Sequence, residues 1–169
     1  ETQTRRDAGV KLVYRDGFSR MNREAIMSDF IAHTIETAPE GSKGVLEETL
    51  KDKGRIPNLA AHMAEAPALL ATYKFAHQQF GASSLSAAEK TVVWLSINVA
   101  QACQYSIAAH TRMAQAMGVE AEVIDALHDQ QPLPSAKLEV LRSYTLALMN
   151  SGGQVAPDQT QPFLAAGFT

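Results

Sequence analysis

Thiols are scarce in this chain: among 169 residues there is one cysteine, Cys103. A single thiol excludes an intramolecular disulfide and any cysteine-rich zinc finger, and it fits a reducing, cytoplasmic compartment. A basic excess is also missing. Fifteen Lys plus Arg stand against eighteen Asp plus Glu, a net charge of −3, so nothing is available to neutralise a phosphate backbone, and a nucleic-acid partner is not expected. The ten glycines stand mostly alone as helix stops, not in a phosphate-cradling loop, which argues against nucleotide cofactors. No His-Glu-x-x-His pattern occurs, no nucleophile elbow surrounds Ser83 or Ser84, and no sustained heptad, alternating strand pattern or internal repeat is present. Residues 1–14 alternate charged and apolar types and lack the apolar stretch of a signal peptide.

Charge itself is absent from one stretch. Residues 91–111 contain no Asp, Glu, Lys or Arg, whereas twenty of the thirty-three such residues fall in the first sixty positions. Twenty-one uncharged residues are about the length of a membrane-spanning helix. Ser96, Asn98, Gln101, Gln104, Ser106 and His110 interrupt the stretch, and each would need a partner in lipid. A segment buried inside a helical protein is therefore expected, with no membrane partner.

The rest of the chain reads as helices. Residues 1–17 form a polar arm, and a helical domain spans 18–169. Phe18, Met21 and Ala25 make one stripe and Met27, Ile31 and Ile35 another, with the helix ending at Thr37-Ala38-Pro39. Ser42 is expected to cap a short helix containing Val45, Leu46 and Leu50, with Gly54 as its left-handed stop. Pro67 suits the first turn of another helix, which Gly81 closes. Ser86-Ala87-Ala88-Glu89 is a capping box opening a helix that is apolar nearly all round. Further helices are predicted from Ala102 to Met117, Val119 to His128, Ser135 to Asn150 and near Pro157 to Ala166, giving an all-α chain of seven to nine helices.

Candidate chemistry gathers in Cys103-Gln104-Tyr105-Ser106-Ile107-Ala108-Ala109-His110. On a helix, Cys103, Ser106 and His110 fall at i, i+3 and i+7, on one face. Near the helix start, free amide donors and the dipole stabilise a thiolate. His110 lies two turns on, about 10 Å along the axis, so its near neighbour is Ser106 and not the sulfur. Cys103 alone reads more readily as a small buried hydrophobe than as a nucleophile, His110 equally as a satisfied core histidine, and Trp94 and Tyr105 more readily as core than as cofactor contacts. A serine nucleophile at Ser106 lacks an acid to orient the histidine. His33, His62, His77 and His128 lack metal-ligand spacing, and Cys103 with His110 would need further ligands from elsewhere, so no metal is expected.

This arrangement resembles the alkylhydroperoxidase D and carboxymuconolactone decarboxylase family, whose signature is a Cys-x-x-Cys-x-x-x-His run at the start of a helix. Gly54-Arg55-Ile56-Pro57-Asn58, Ala66-Pro67, Leu85-Ser86-Ala87-Ala88-Glu89-Lys90, Ala109-His110-Thr111 and the stretch from Pro132-Leu133 to Ala165-Ala166-Gly167 resemble it too, about 130 residues in all. The resemblance implies a single-domain helical bundle of the alkylhydroperoxidase D-like type, in a homo-oligomer, trimer or hexamer. It also implies peroxide reduction at a redox cysteine without an added cofactor, and members usually continue past the position of Thr169. Carried over, Cys103 is the redox thiol and His110 the proton carrier. The second cysteine's place holds Ser106, and the relay glutamate's place, twelve residues before Cys103, holds Thr91. Glu89 is displaced from that place by two positions, about 200° around a helix, and reads better as a cap. An intramolecular dithiol cycle is impossible. Ser106 then marks an introduced change, a natural monothiol peroxidase resolved by an external thiol, or a lost redox function. A histidine-dependent decarboxylase and a non-catalytic binding module remain as alternatives.

Overall fold

A computed structural model describes residues 30–169. The expected arm at 1–17, the stripe of Phe18, Met21 and Ala25, and Met27 of the second stripe lie outside the described residues. Among the described residues there are eight helices and no strand: α1 (Glu40–Lys53), α2 (Asn58–Met63), α3 (Pro67–Gly81), α4 (Ala87–Ala100), α5 (Gln104–Ala116), α6 (Ala121–His128), α7 (Ala136–Asn150) and α8 (Pro157–Ala165). They fall into two compact units that part between Ala76 and His77.

In the first unit, the helix expected to end at 37–39 does not include the described residues 31–37: 31–34 are irregular and 35–37 form a turn. The Thr34 amide donates to Thr37 Oγ1 at 3.0 Å, a side-chain bond that competes with helix formation, and the His33 amide donates to the distant Ala61 carbonyl at 3.1 Å. Helix α1 begins at Glu40 behind Pro39, so Ser42 is not its cap. Ser42 is fully buried, and its hydroxyl donates to the Ala64 carbonyl at 2.7 Å, because a hydroxyl taken out of water must find an acceptor. Its neighbour Gly41 allows close packing, since a Cβ there would lie 3.1 Å from Pro67 Cβ. Leu46, Ala64, Leu70 and Ala38 form this unit's core.

In the second unit, α4 is the central element and packs against α5, α6 and α7, while α8 packs on α7. The expected capping box opens it: Ser86 Oγ accepts from the Glu89 amide at 3.2 Å, and Glu89 Oε2 accepts from the Ser86 amide at 2.7 Å. Val92 and Leu95 are fully buried against Ala114, Ile124, Leu127 and Leu141. Burial of each contributes about 1.5–3 kcal/mol. Val93, Trp94, Ile97 and Val99 are only half-buried, so α4 is less enclosed than its apolar sequence suggests. The uncharged stretch breaks into two helices at residues 101–103, and no helix of the described residues is long and apolar enough to cross a membrane.

Candidate functional site at the α4–α5 turn

The turn between α4 and α5 is set by main-chain bonds at the end of α4. The Ala102 amide donates to the Val99 carbonyl and the Cys103 amide to the Asn98 carbonyl, both at 3.0 Å. This is the double closure of a Schellman motif, which demands a left-handed residue between the helix end and its second bond. That residue is Ala102, at φ 51°, and not a glycine. The chain reverses there and places Cys103 as the N-cap of α5.

Cys103 is exposed. Its thiol lies 3.2 Å from Ser106 Oγ and donates to it; in the thiolate the hydroxyl turns and donates to sulfur. The Ser106 hydroxyl, then the Ser106 amide and finally the Tyr105 amide hold the thiol below its ordinary range, against a smaller opposing effect of burial. No cap hydrogen bond closes on the sulfur, so the two amides act through their dipoles.

His110 is half-buried on α5. Asn98 Nδ2 lies 2.6 Å from its Nδ1. With the carboxamide oriented to donate, the neutral ring carries its proton on Nε2. The Trp94 indole stacks on the His110 ring at 5.0 Å and 16°. The His77 ring stacks on the same indole at 5.6 Å and 10°, and Phe80 tilts against it at 5.0 Å. Burial foremost, and the charge of His77 second, push the imidazole below its ordinary value, while the Ser106 main chain pulls the other way. Burial therefore favours the neutral imidazole, whose lone pair lies on Nδ1 against Asn98 in this orientation and on Nε2 once the carboxamide turns its oxygen to an Nδ1 proton.

The three candidate residues are thus divided in their contacts. Cys103 and Ser106 touch; His110 forms its side-chain hydrogen bond with α4 instead, and none joins it to Cys103 or to the Ser106 hydroxyl. Asn98 is the link, because its carbonyl receives the Cys103 amide and its side chain pairs with His110. The sequence offered one signal for it: a carboxamide inside an apolar helix, four residues after Trp94. Tyr105 is 47% exposed and is not a core residue. Trp94 is half-buried and serves as the stacking partner of both histidines.

No carboxylate contacts His110 among the described residues. Thr91, where the resemblance would put a relay glutamate, is buried and donates to the Ala87 carbonyl at 2.9 Å. Glu89 caps α4 and pairs with Lys137 at 2.8 Å, a contact that holds its carboxyl below the usual range. Of the remaining histidines, His33 pairs with Glu65, and His128 Nε2 lies 2.8 Å from Thr111 Oγ1. Among the described residues no group of three His, Cys, Asp or Glu side chains is placed to hold a metal ion.

Residues 64–141 match the carboxymuconolactone decarboxylase family. The fold is that of the alkylhydroperoxidase AhpD core. It is similar to the crystal structure of such a core, an uncharacterized peroxidase-related protein from Ralstonia eutropha JMP134, with a TM-score of 0.71. That likeness covers 83% of this chain and 76% of the other at 15% sequence identity. No curated protein matches the chain.

Proposed function

We propose that this chain, which resembles the carboxymuconolactone decarboxylase family over residues 64–141, is a one-cysteine thiol peroxidase. The observation that carries the reading is Cys103: an exposed thiol at the N-cap of α5, 3.2 Å from the Ser106 hydroxyl and held in favour of its thiolate. In this mechanism the thiolate attacks one peroxide oxygen, the O–O bond breaks, and Cys103 becomes a sulfenic acid as the peroxide is reduced by two electrons. The other oxygen leaves as alkoxide or hydroxide and takes up a proton. With the Asn98 carboxamide turned so that its oxygen accepts from an Nδ1 proton, the neutral His110 ring leaves Nε2 free; Nε2 accepts the proton of the Cys103 thiol and returns it to that leaving oxygen through water, since no side chain bridges the two. Asn98 and Trp94 hold the imidazole in place.

Ser106 offers no second thiol, so recovery of the enzyme needs an external reductant. One external thiol condenses with the sulfenic acid, releasing water and forming a mixed disulfide. A second external thiol attacks that disulfide and restores Cys103, leaving the reductant as its own disulfide. The substrate is then a small peroxide and the partner an external thiol.

The test is peroxide consumption with an added dithiol. The rate is expected to vanish in Cys103→Ser, to fall in His110→Ala and to persist in Ser106→Ala at reduced thiolate reactivity. An unchanged rate in Cys103→Ser refutes the proposal. Turnover of a cyclic lactone acid that survives Cys103→Ser but not His110→Ala replaces it with the decarboxylase reading.

A further inference from the structure

The second unit holds a cleft of about 590 Å³ along a different side of α4. Glu89, Val93 and Ile97, at four-residue intervals, line it over about 12 Å of helix. Tyr144, Phe163 and Phe168 supply an aromatic wall, with successive ring centroids 3.9 and 5.0 Å apart. Cys103, Ser106 and His110 do not line it. Its volume and its apolar lining with a few polar groups are those of a small-molecule site.

The polar groups say what such a molecule would be. Lys137 and Glu89 are the charged side chains of the lining, and they cancel as a 2.8 Å ion pair. The second Glu89 oxygen accepts from the Ser86 amide, and the Lys137 ammonium also sits 4.6 Å over the Phe168 ring. A charged guest would therefore enter apolar surroundings without a free counter-charge, at a heavy desolvation cost. Ser83 is different. It lines the cleft, and its hydroxyl oxygen is buried with no hydrogen-bond partner. A buried hydroxyl left unpaired is costly, and a turn of the Ser83 side chain that brings it to a guest oxygen in the cleft removes the cost. We infer that this cleft is a binding site for a neutral, mostly apolar small molecule of the alcohol class, its hydrocarbon against the aromatic wall and its hydroxyl paired with Ser83.

Calorimetric titration of the full chain with 1-octanol, octanoate and octylammonium tests this without recourse to peroxidase activity. Octanol is expected to bind saturably, with a dissociation constant on the order of 0.1 mM, and both ions at least about tenfold more weakly. Ser83→Ala is expected to weaken octanol about tenfold. Leu148→Glu places an unpaired carboxylate at the rim, where the native side chain is 42% exposed and the fold tolerates it. It should weaken octanol and favour octylammonium. Absence of saturable octanol binding, tighter binding of either ion to the native chain, or octanol binding unchanged in both variants would overturn the assignment.

Discussion

Replacing Ala102 by glycine should make the protein more stable, although it removes a methyl group. Ala102 sits at φ 51°, in the left-handed region where an L side chain crowds the following carbonyl at a cost of about 1–2 kcal/mol. Glycine escapes that cost but gives up about 0.5–1 kcal/mol through its freer unfolded chain. At mid-range the difference favours glycine by about 0.75 kcal/mol. For a domain of this size that is a rise of roughly 1–4 °C in melting temperature. Three other helices of the same unit end on the glycine this argument asks for: Gly118, Gly152 and Gly167, at φ 72°, 61° and 86°. The assay is calorimetric unfolding under reducing conditions, with Ala102→Val as the opposite control, because a β-branched residue is worse still at positive φ. A melting temperature that falls in Ala102→Gly would mean that the turn carrying Cys103 does not have this conformation, and the N-cap placement of the thiol would fall with it.

Alkylation of Cys103 by iodoacetamide should proceed at lower pH than for an ordinary cysteine, and Ser106→Ala should move the inflection upward, since the Ser106 hydroxyl is the largest influence on the thiol; an unmoved profile contradicts the contact. His110 should titrate below an ordinary histidine in proton NMR. Because its folded form resists protonation while the unfolded chain accepts it, stability should be full above the ordinary histidine range and decline as pH falls through it. His110→Gln should flatten that decline in melting temperatures taken from pH 7 downward. Leu95→Ala, in the fully buried face of α4, should cost about 2–5 kcal/mol in urea unfolding; a loss well below that range would mean the α4 core repacks.

Local signals with a local physical cause were legible. The Ser86–Glu89 box and the stops at Gly54, Gly118 and Gly167 each involve residues within a few positions of one another, and each is present as expected. The stops at Ala102 and Gln130 were invisible as stops because neither is glycine, yet both adopt positive φ, at 51° and 55°. Main-chain bonds close both turns all the same: the Cys103 amide donates to the Asn98 carbonyl and the Gln131 amide to the Ala126 carbonyl. Ser42 failed as a cap because its partner, the Ala64 carbonyl, lies twenty-two residues away, and a helix-cap rule looks only three ahead. The candidate site divides along the same line. Cys103 and Ser106, three apart, are in contact as the spacing required, whereas Asn98 and His77 found their places beside His110 and Trp94 through contacts between helices.

From its residues alone, the chain was committed to helices, to one thiol at the start of α5, and to a serine three residues after it. Those are matters of composition and short-range spacing, which no later packing can change. Tertiary structure decided what the histidine does. Seven residues along a helix put Cys103 and His110 on one face but about two turns apart, and a side chain bonds to what is within about 3 Å of it. Helix α4 supplies that neighbour, so the imidazole belongs to Asn98 and Trp94 while the sulfur keeps company with Ser106.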